Sequence, residues 1–267
     1  MIDVRAVWLR PTFGGPSLQW SYTLVLDHEG YPPSLTVIEP DKWPEEGARM
    51  MAPWVREAER RALRLAGGRS ERDIEYDFAY RSVTGRQSRI LDVGGCDSLL
   101  PLVLCKDGHR VTVYDFRPYA GRHPNLSVIQ SDFLRNTLPA GSFEVVLMIS
   151  TIEHIGLGAY GAPVLQDGDF RAINQARRLL VDGGKLVLTF PFNQEERLFT
   201  SFERWYSADR VGRLTQRWRH RDEEFWVPDK KLLGRWVRWR PATMEAAGQA
   251  SVTTGMHGLA CLALSPE

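Results

Sequence analysis

Short apolar runs alternate with helically spaced stretches through the middle of this chain, between residues 71 and 192. Runs at 89–93, 111–115, 126–130, 143–149 and 185–190 are rich in Val, Ile and Leu, and the first four end in or just before Asp, Gly or Ser, so they predict strands. Residues 98–106 and 172–181 carry helical spacing, and Gly108 and Gly183 stand where each should stop. Strand and helix in alternation predict βαβ units, whose right-handed crossovers build a parallel sheet covered on both faces.

The two ends have other textures. In residues 1–70, 22–27 and 34–38 read as short strands about a Gly30-Tyr-Pro-Pro turn. Pro53 opens a helix with Met51, Trp54, Val55, Ala58, Ala62 and Leu65 on one face, closed by Gly67-Gly68. Beyond 192, the stretch 197–240 holds 12 Lys/Arg against 6 Asp/Glu and five of the nine tryptophans, and 258–264 reads as a last strand. The expected organisation is an N-terminal elaboration over 1–70 and one α/β domain over 71–267. Within that domain, 193–240 is read as a substrate-side insertion.

Composition removes several classes. With 43% hydrophobic and 25% charged residues the chain is an ordinary globular one, and its 267 residues can bury a core without staples. The net charge of +1 offers nothing to a dedicated nucleic-acid or membrane binder. No apolar run approaches the ~18 residues of a membrane helix, and the first residues lack the pattern of a signal peptide. Cys96, Cys105 and Cys261 are odd in number and widely spaced, which fits neither a disulfide framework nor a zinc ribbon. A cytoplasmic protein is the expectation.

The chemistry gathers where the predicted strands end. Asp92 closes the first strand and is followed by Gly94, Gly95 and Cys96, a turn that lets a ligand approach backbone and an opening helix. Asp115 closes the second strand, where an acid can accept both hydroxyls of a ribose. Asp132 follows the third and can accept from the amino group of an adenine, with Phe133 or Phe116 against the ring. Three acids at three successive strand ends are far more specific than one.

These residues resemble those of the class I S-adenosylmethionine-dependent methyltransferases. The Asp-x-Gly-x-Gly-like loop, the ribose acid, the adenine acid, the fourth segment 141–154 and the Gly183-Gly184 turn before the fifth strand stand in the family's order. The resemblance implies a doubly wound, Rossmann-like sheet, mostly parallel with an antiparallel C-terminal strand. It implies S-adenosylmethionine as cofactor, held by Asp92, Gly94, Gly95, Cys96, Asp115, Phe116, Asp132, Phe133 and Ser150. The segment before the first strand often covers the cofactor in this family, so Tyr76 or Arg81 would reach its methionine end. Residues 150–169 further resemble methyltransferases of sugar and polysaccharide biosynthesis, which implies a small-molecule or glycan acceptor. Cys96 departs from the pattern by replacing the second loop glycine. Its side chain either crowds the cofactor or, at negative φ, fills a small buried space.

Methyl transfer from a sulfonium is an in-line displacement in which the protein chiefly positions the acceptor, and an alcohol acceptor also needs a base. His154, just past the fourth strand, is the expected base, with Glu153 beside it and oxygen the expected acceptor atom. Tyr160 and Asp169, on the glycine-rich segment that follows, are candidate acceptor contacts. Glu153, His154, Asp167 and Asp169 have types that suit a divalent ion but no ligand spacing, so no metal is expected. The Arg/Trp stretch is read as amphipathic cover in preference to a nucleic-acid surface. A nicotinamide-dependent oxidoreductase is the competing enzyme, disfavoured because Gly94, Cys96 and Leu99 do not satisfy G-x-G-x-x-G. A non-catalytic module that keeps the fold is the third reading.

Overall fold

A computed structural model describes residues 3–12, 19–27, 57, 60, 64, 68–85, 87–199, 202–232 and 235–267. The chain divides into two compact units, 1–66 and 67–267. In the first, β1 (Asp3–Thr12) and β2 (Gln19–Asp27) pair as an antiparallel hairpin with a bulge between Val4 and Ala6. The second strand contains the predicted run 22–27. The expected strand at 34–38 and the apolar face of the Pro53 helix lie outside the described residues.

The second unit follows the alternation of the sequence. Its elements are α1 (Glu71–Ser82), β3 (Arg89–Val93), α2 (Leu100–Lys106), β4 (Arg110–Asp115), β5 (Leu126–Gln130), β6 (Phe143–Ile149), α3 (Gly168–Leu179) and β7 (Leu180–Phe192). There follow β8 (Arg197–Phe199), β9 (Glu203–Trp205), α4 (Ala208–Thr215), β10 (Trp218–Leu232), β11 (Arg235–Ala242), α5 (Met244–Gly248), α6 (Ala250–Thr254) and β12 (Gly258–Pro266). A capping box starts α1: the Ser70 hydroxyl accepts from the Asp73 amide (3.2 Å) while the Asp73 carboxylate accepts from the Ser70 amide (2.9 Å).

Eight strands form one sheet in the order β11-β10-β12-β7-β6-β3-β4-β5. The five from β5 to β7 are parallel; β12 runs antiparallel to β7 and β10 antiparallel to β12. So β10 returns to the direction of the parallel set, and β11 folds back on it as an edge hairpin. Both faces are covered, which is why the central strands read as continuous apolar runs. Alternate residues serve opposite cores. Val146 and Met148 pack with Ala172, Ile173, Ala176 and Leu179 of α3, whereas Val145, Leu147 and Ile149 pack with Ile74 and Phe78 of α1 and Leu100 and Leu104 of α2.

Two expectations shift. The helix predicted at 172–181 starts a turn earlier, at Gly168, because its first residues carry no apolar period, and Val181 belongs to β7. The basic stretch 197–240 is two short strands, a helix and two long strands. Trp205, Trp218, Trp226 and Trp239 are buried, so these four serve packing. No described helix is long and apolar enough to cross a membrane.

Candidate functional site

The chain leaves β3 toward β4 and β5 on one side and reaches β6 and β7 on the other, so the carboxyl ends of β3 and β6 flank the crevice where an open α/β sheet receives ligands. Thr151 ties those ends together: its hydroxyl lies 3.0 Å from the carbonyls of both Val93 and Ile149. The turn between them must be glycine. Gly94 has φ +79°, and a Cβ there would sit 2.4 Å from Thr151 Oγ1; a Cβ on Gly95 would sit 2.4 Å from Asp92 Oδ2.

Cys96 resolves the question that the sequence left open. It is not among the described residues at positive φ, and its side chain is buried outside the cleft lining. Its amide donates to Asp115 Oδ2 (3.1 Å), fastening the glycine turn to the end of β4. Burial pushes the Cys96 thiol far up, so it is a filler and no nucleophile.

The cleft holds about 710 Å³ of space open to solvent. Gly94, Asp115, Phe116, Asp132, Phe133 and Ser150, all expected from the sequence, line it. Asp115 Oδ1 accepts from the Arg117 amide (2.9 Å) and from its Nε (3.4 Å), while Oδ2 accepts from the Cys96 amide and keeps a lone pair for a further donor. Asp132 caps a single 3₁₀ turn, accepting from the Leu134 amide (2.9 Å). Phe133 leans edge-on to Tyr114 at 5.7 Å, while Phe116 stands at the lip.

At the other end of the cleft Ser150 takes a left-handed conformation, φ +44°, an uncommon one held by its neighbours. Its amide donates to Thr189 Oγ1 (3.0 Å) and its hydroxyl to Glu75 Oε1 (2.5 Å), which also accepts from the Thr189 hydroxyl (2.7 Å). Glu75 is fully buried and pairs with Arg72 at 3.0 Å. From the sequence, neither Arg72 nor Glu75 of α1 carries an assigned role. Of the two expected to reach the methionine end, Tyr76 lies under the Arg72 guanidinium outside the cleft lining, and Arg81 pairs with Asp77 and Glu224.

A 3₁₀ turn at Ile152–His154 sends three consecutive side chains in three directions. Ile152 enters the core, Glu153 is buried with Oε2 unpartnered, and His154 faces the cleft. His154 Nδ1 lies 2.7 Å from the Phe202 carbonyl. That contact places the proton on Nδ1 and leaves Nε2 an acceptor, 3.8 Å from Glu153 Oε1. Burial, with Arg72 and Arg117 nearby, holds the imidazole below its ordinary 6.5, so it is neutral at pH 7. Tyr160, also in a left-handed conformation, sits against Phe202 (5.1 Å) and beneath the Arg117 guanidinium (4.1 Å).

Asp169 needs correction as an acceptor contact. It is fully buried, bound bidentately by Arg210 at 2.9 and 3.0 Å and approached by Arg204 at 3.2 Å and the Tyr206 hydroxyl at 3.3 Å. It locks α3 to β9 and α4. Asp167 pairs with Arg171 on the surface. Among the described residues no group of His, Cys, Asp and Glu converges as a metal site.

Comparison with known proteins agrees with this architecture. The burkholderial enzyme 1,6-didemethyltoxoflavin-N1-methyltransferase from Burkholderia thailandensis, solved with 1,6-didemethyltoxoflavin and S-adenosylhomocysteine bound, superposes with a TM-score of 0.51 at 13% identity, over 96% of this chain and 99% of its own. The N-methyltransferase NodS from Bradyrhizobium japonicum gives 0.51 at 16%, over 74% and 97%. The fold is that of the class I methyltransferases. The [4+2]-cyclase SpnF also matches, at 0.53 and 16% identity over 72% and 80%, so the fold alone does not choose the reaction. A family described as "Caenorhabditis protein of unknown function, DUF268" matches residues 122–219. No curated protein matches the sequence.

Proposed function

We propose that this chain is a methyltransferase that uses S-adenosylmethionine and acts on a small-molecule or glycan acceptor. The observation that carries the reading is the glycine turn beside three acid-tipped strands: a backbone cradle closed to any side chain at Gly94 and Gly95, with Asp115 and Asp132 along the cleft that leads from it. The buried, unpartnered Asp92 Oδ2 beneath this turn suits a ligand that carries positive charge, as a sulfonium amino acid does. In this reading Asp115 accepts the ribose hydroxyls, Asp132 the adenine amino group, and Phe116 and Phe133 border the ring. Tyr76, with the Arg72 guanidinium over its ring, or Arg81 is the proposed partner of the methionine end. When bound, the cofactor supplies an activated methyl group, and the protein's task is to position and deprotonate the acceptor.

His154 is the proposed proton acceptor, with Nδ1 fixed by Phe202 and the unprotonated Nε2 3.8 Å from Glu153. The glycan class rests on the resemblance of residues 150–169 to methyltransferases of sugar biosynthesis. Three cysteines, all unpaired and buried, suit the cytoplasm as the proposed location.

Titration with S-adenosylhomocysteine by calorimetry tests the cofactor assignment. Asp115→Ala removes the ribose acceptor and should weaken binding by about tenfold or more, the range of one or two lost hydrogen bonds to a charged group. Wild-type affinity in that variant would refute the assignment. His154→Ala should lower kcat by about a hundredfold with cofactor affinity unchanged. In the wild type, kcat should fall with acidification through a midpoint below 6.5, because Nε2 must be unprotonated. An unchanged kcat in the variant would remove His154 as the base.

A further inference from the structure

Two residues of the cleft lining come from opposite flanks of the glycine turn and meet. Arg117 follows β4 and Tyr160 lies on the segment after β6, the two strands that neighbour β3. The Arg117 guanidinium stands 4.1 Å from the centre of the Tyr160 ring. It also donates to Asp97, next to Cys96 (Nη1 to Oδ2, 2.7 Å), and to Asp115 at the end of β4 (Nε to Oδ1, 3.4 Å). One guanidinium therefore ties the glycine turn and the acid of β4 to the segment that follows His154.

Tyr160 is held from its own side as well. Its backbone is left-handed, φ +56°, between Gly158 and Gly161, which are left-handed too at +77° and +82°. A side chain of this size takes that conformation where its surroundings impose it. Leu157 bridges to Val164, and the Leu165 amide donates to the Gly156 carbonyl (2.8 Å), so the loop is closed at its base. The ring meets Phe202 at 5.1 Å and His154 at 6.0 Å, both nearly perpendicular (74° and 77°). Two carboxylates answer the charge of Arg117, so the guanidinium does not turn away a sulfonium.

Resting on the methyltransferase reading, we infer that Arg117 and Tyr160 act as one preassembled wall of the cofactor site, so that Tyr160 serves the cofactor and not the acceptor. The partners of the guanidinium place the wall. Asp115 is the proposed ribose acid, and Asp97 belongs to the turn proposed to hold the rest of the cofactor, so the wall stands on the ribose side of His154. The contact between Arg117 Nε and Asp115 is the longest of the set. A ribose hydroxyl can take that place on Oδ1 while the guanidinium keeps Asp97 and the Tyr160 ring. The protein forms the pair by itself, so a ligand meets ordered groups and its binding does not have to immobilise them. Without the ring, Arg117 loses its hold on the segment after β6, and that flank of the site must be ordered anew on each binding event.

Calorimetry on the full chain with S-adenosylhomocysteine, and with no acceptor present, tests the inference, because a residue that only meets the acceptor would leave this binding untouched. Tyr160→Ala should weaken binding about five- to tenfold, the fold-change of one lost cation–π contact, and Tyr160→Phe, which keeps the ring, should stay within about twofold of the wild type. Arg117→Met should weaken binding independently, and the double variant should lose no more than about twofold beyond the weaker single one, as residues acting as a unit do. Urea midpoints read alongside should match the wild type for Tyr160→Ala, whose ring is half exposed. If Tyr160→Ala binds as the wild type does, or if the two losses multiply in the double variant, the wall falls, and the methyltransferase reading stands as long as Asp115→Ala weakens binding. If the wild type does not bind S-adenosylhomocysteine, both fall.

Discussion

Asp169→Ala should cost the fold about 3–5 kcal/mol, the range for breaking a buried ion pair by removing one partner. Asp169 is the anion to which Arg210 donates twice, and Arg204 approaches it without hydrogen-bonding geometry. Both arginines are themselves buried. Glu196 remains to Arg210 at 2.8 Å but stands 3.9 Å from Arg204, so removal of Asp169 leaves Arg204 with little to offset its desolvation. The Tyr206 hydroxyl keeps the Ile152 carbonyl at 3.1 Å. Urea unfolding should show a lower midpoint with an unchanged slope. The exposed pair Asp167–Arg171, two residues away, is the control: Asp167→Ala should do far less, because water screens it. A loss under about 1 kcal/mol for Asp169→Ala would mean that the arginines find other partners. Asp169 is absent from the cleft lining, so the folded variant should bind S-adenosylhomocysteine as the wild type does.

That cluster also marks the boundary of what the sequence makes legible. The central strands β3, β6 and β7 are readable because a parallel sheet covered on both faces turns each into an apolar run, and the acids at the strand ends stand out against it. Asp169 stands as plainly in the sequence, on a glycine-rich stretch that looked substrate-facing. Its partners lie 35 and 41 positions away, and nothing local announces them. For Glu75 and Arg72 the difficulty is the reverse. In Glu71-Arg72-Asp73-Ile74-Glu75 charged residues surround a single apolar one, which reads as a surface helix, yet Glu75 points into the sheet to hold Ser150 and Thr189. The available signal was Thr189, a polar residue in the apolar run of β7 that requires a buried partner. Cys96 is intermediate: its position in the loop was evident, but whether its side chain entered the cleft depended on a φ value that sequence does not supply.

Asp92 carries the other large effect, and it appears as a dependence of stability on pH. Burial, reinforced by the charge of Asp115 and opposed by Arg72, pushes the Asp92 carboxyl from its ordinary 3.8 up to about 8. Below about pH 4 the folded and unfolded chains both hold this proton. Between 4 and 8 the unfolded chain releases it and the folded chain retains it, so the unfolded state binds fewer protons and stability falls as pH rises. Above 8 both are ionised and the dependence ends. At about 1.4 kcal/mol per pH unit, Asp92 alone removes on the order of 4 kcal/mol between pH 5 and pH 8. Glu71, also raised to about 8, acts in the same direction. Asp92→Asn has no proton to lose, so its stability relative to wild type should grow steadily across that window, as read by urea unfolding at pH 5, 6.5 and 8. Parallel curves would mean that Asp92 is ionised throughout and that its buried oxygen has found a donor. A bound cation changes the balance in a predictable way. Positive charge beside Asp92 favours its carboxylate and draws the proton off at neutral pH, so the same group that weakens the empty protein strengthens the hold on a positively charged ligand.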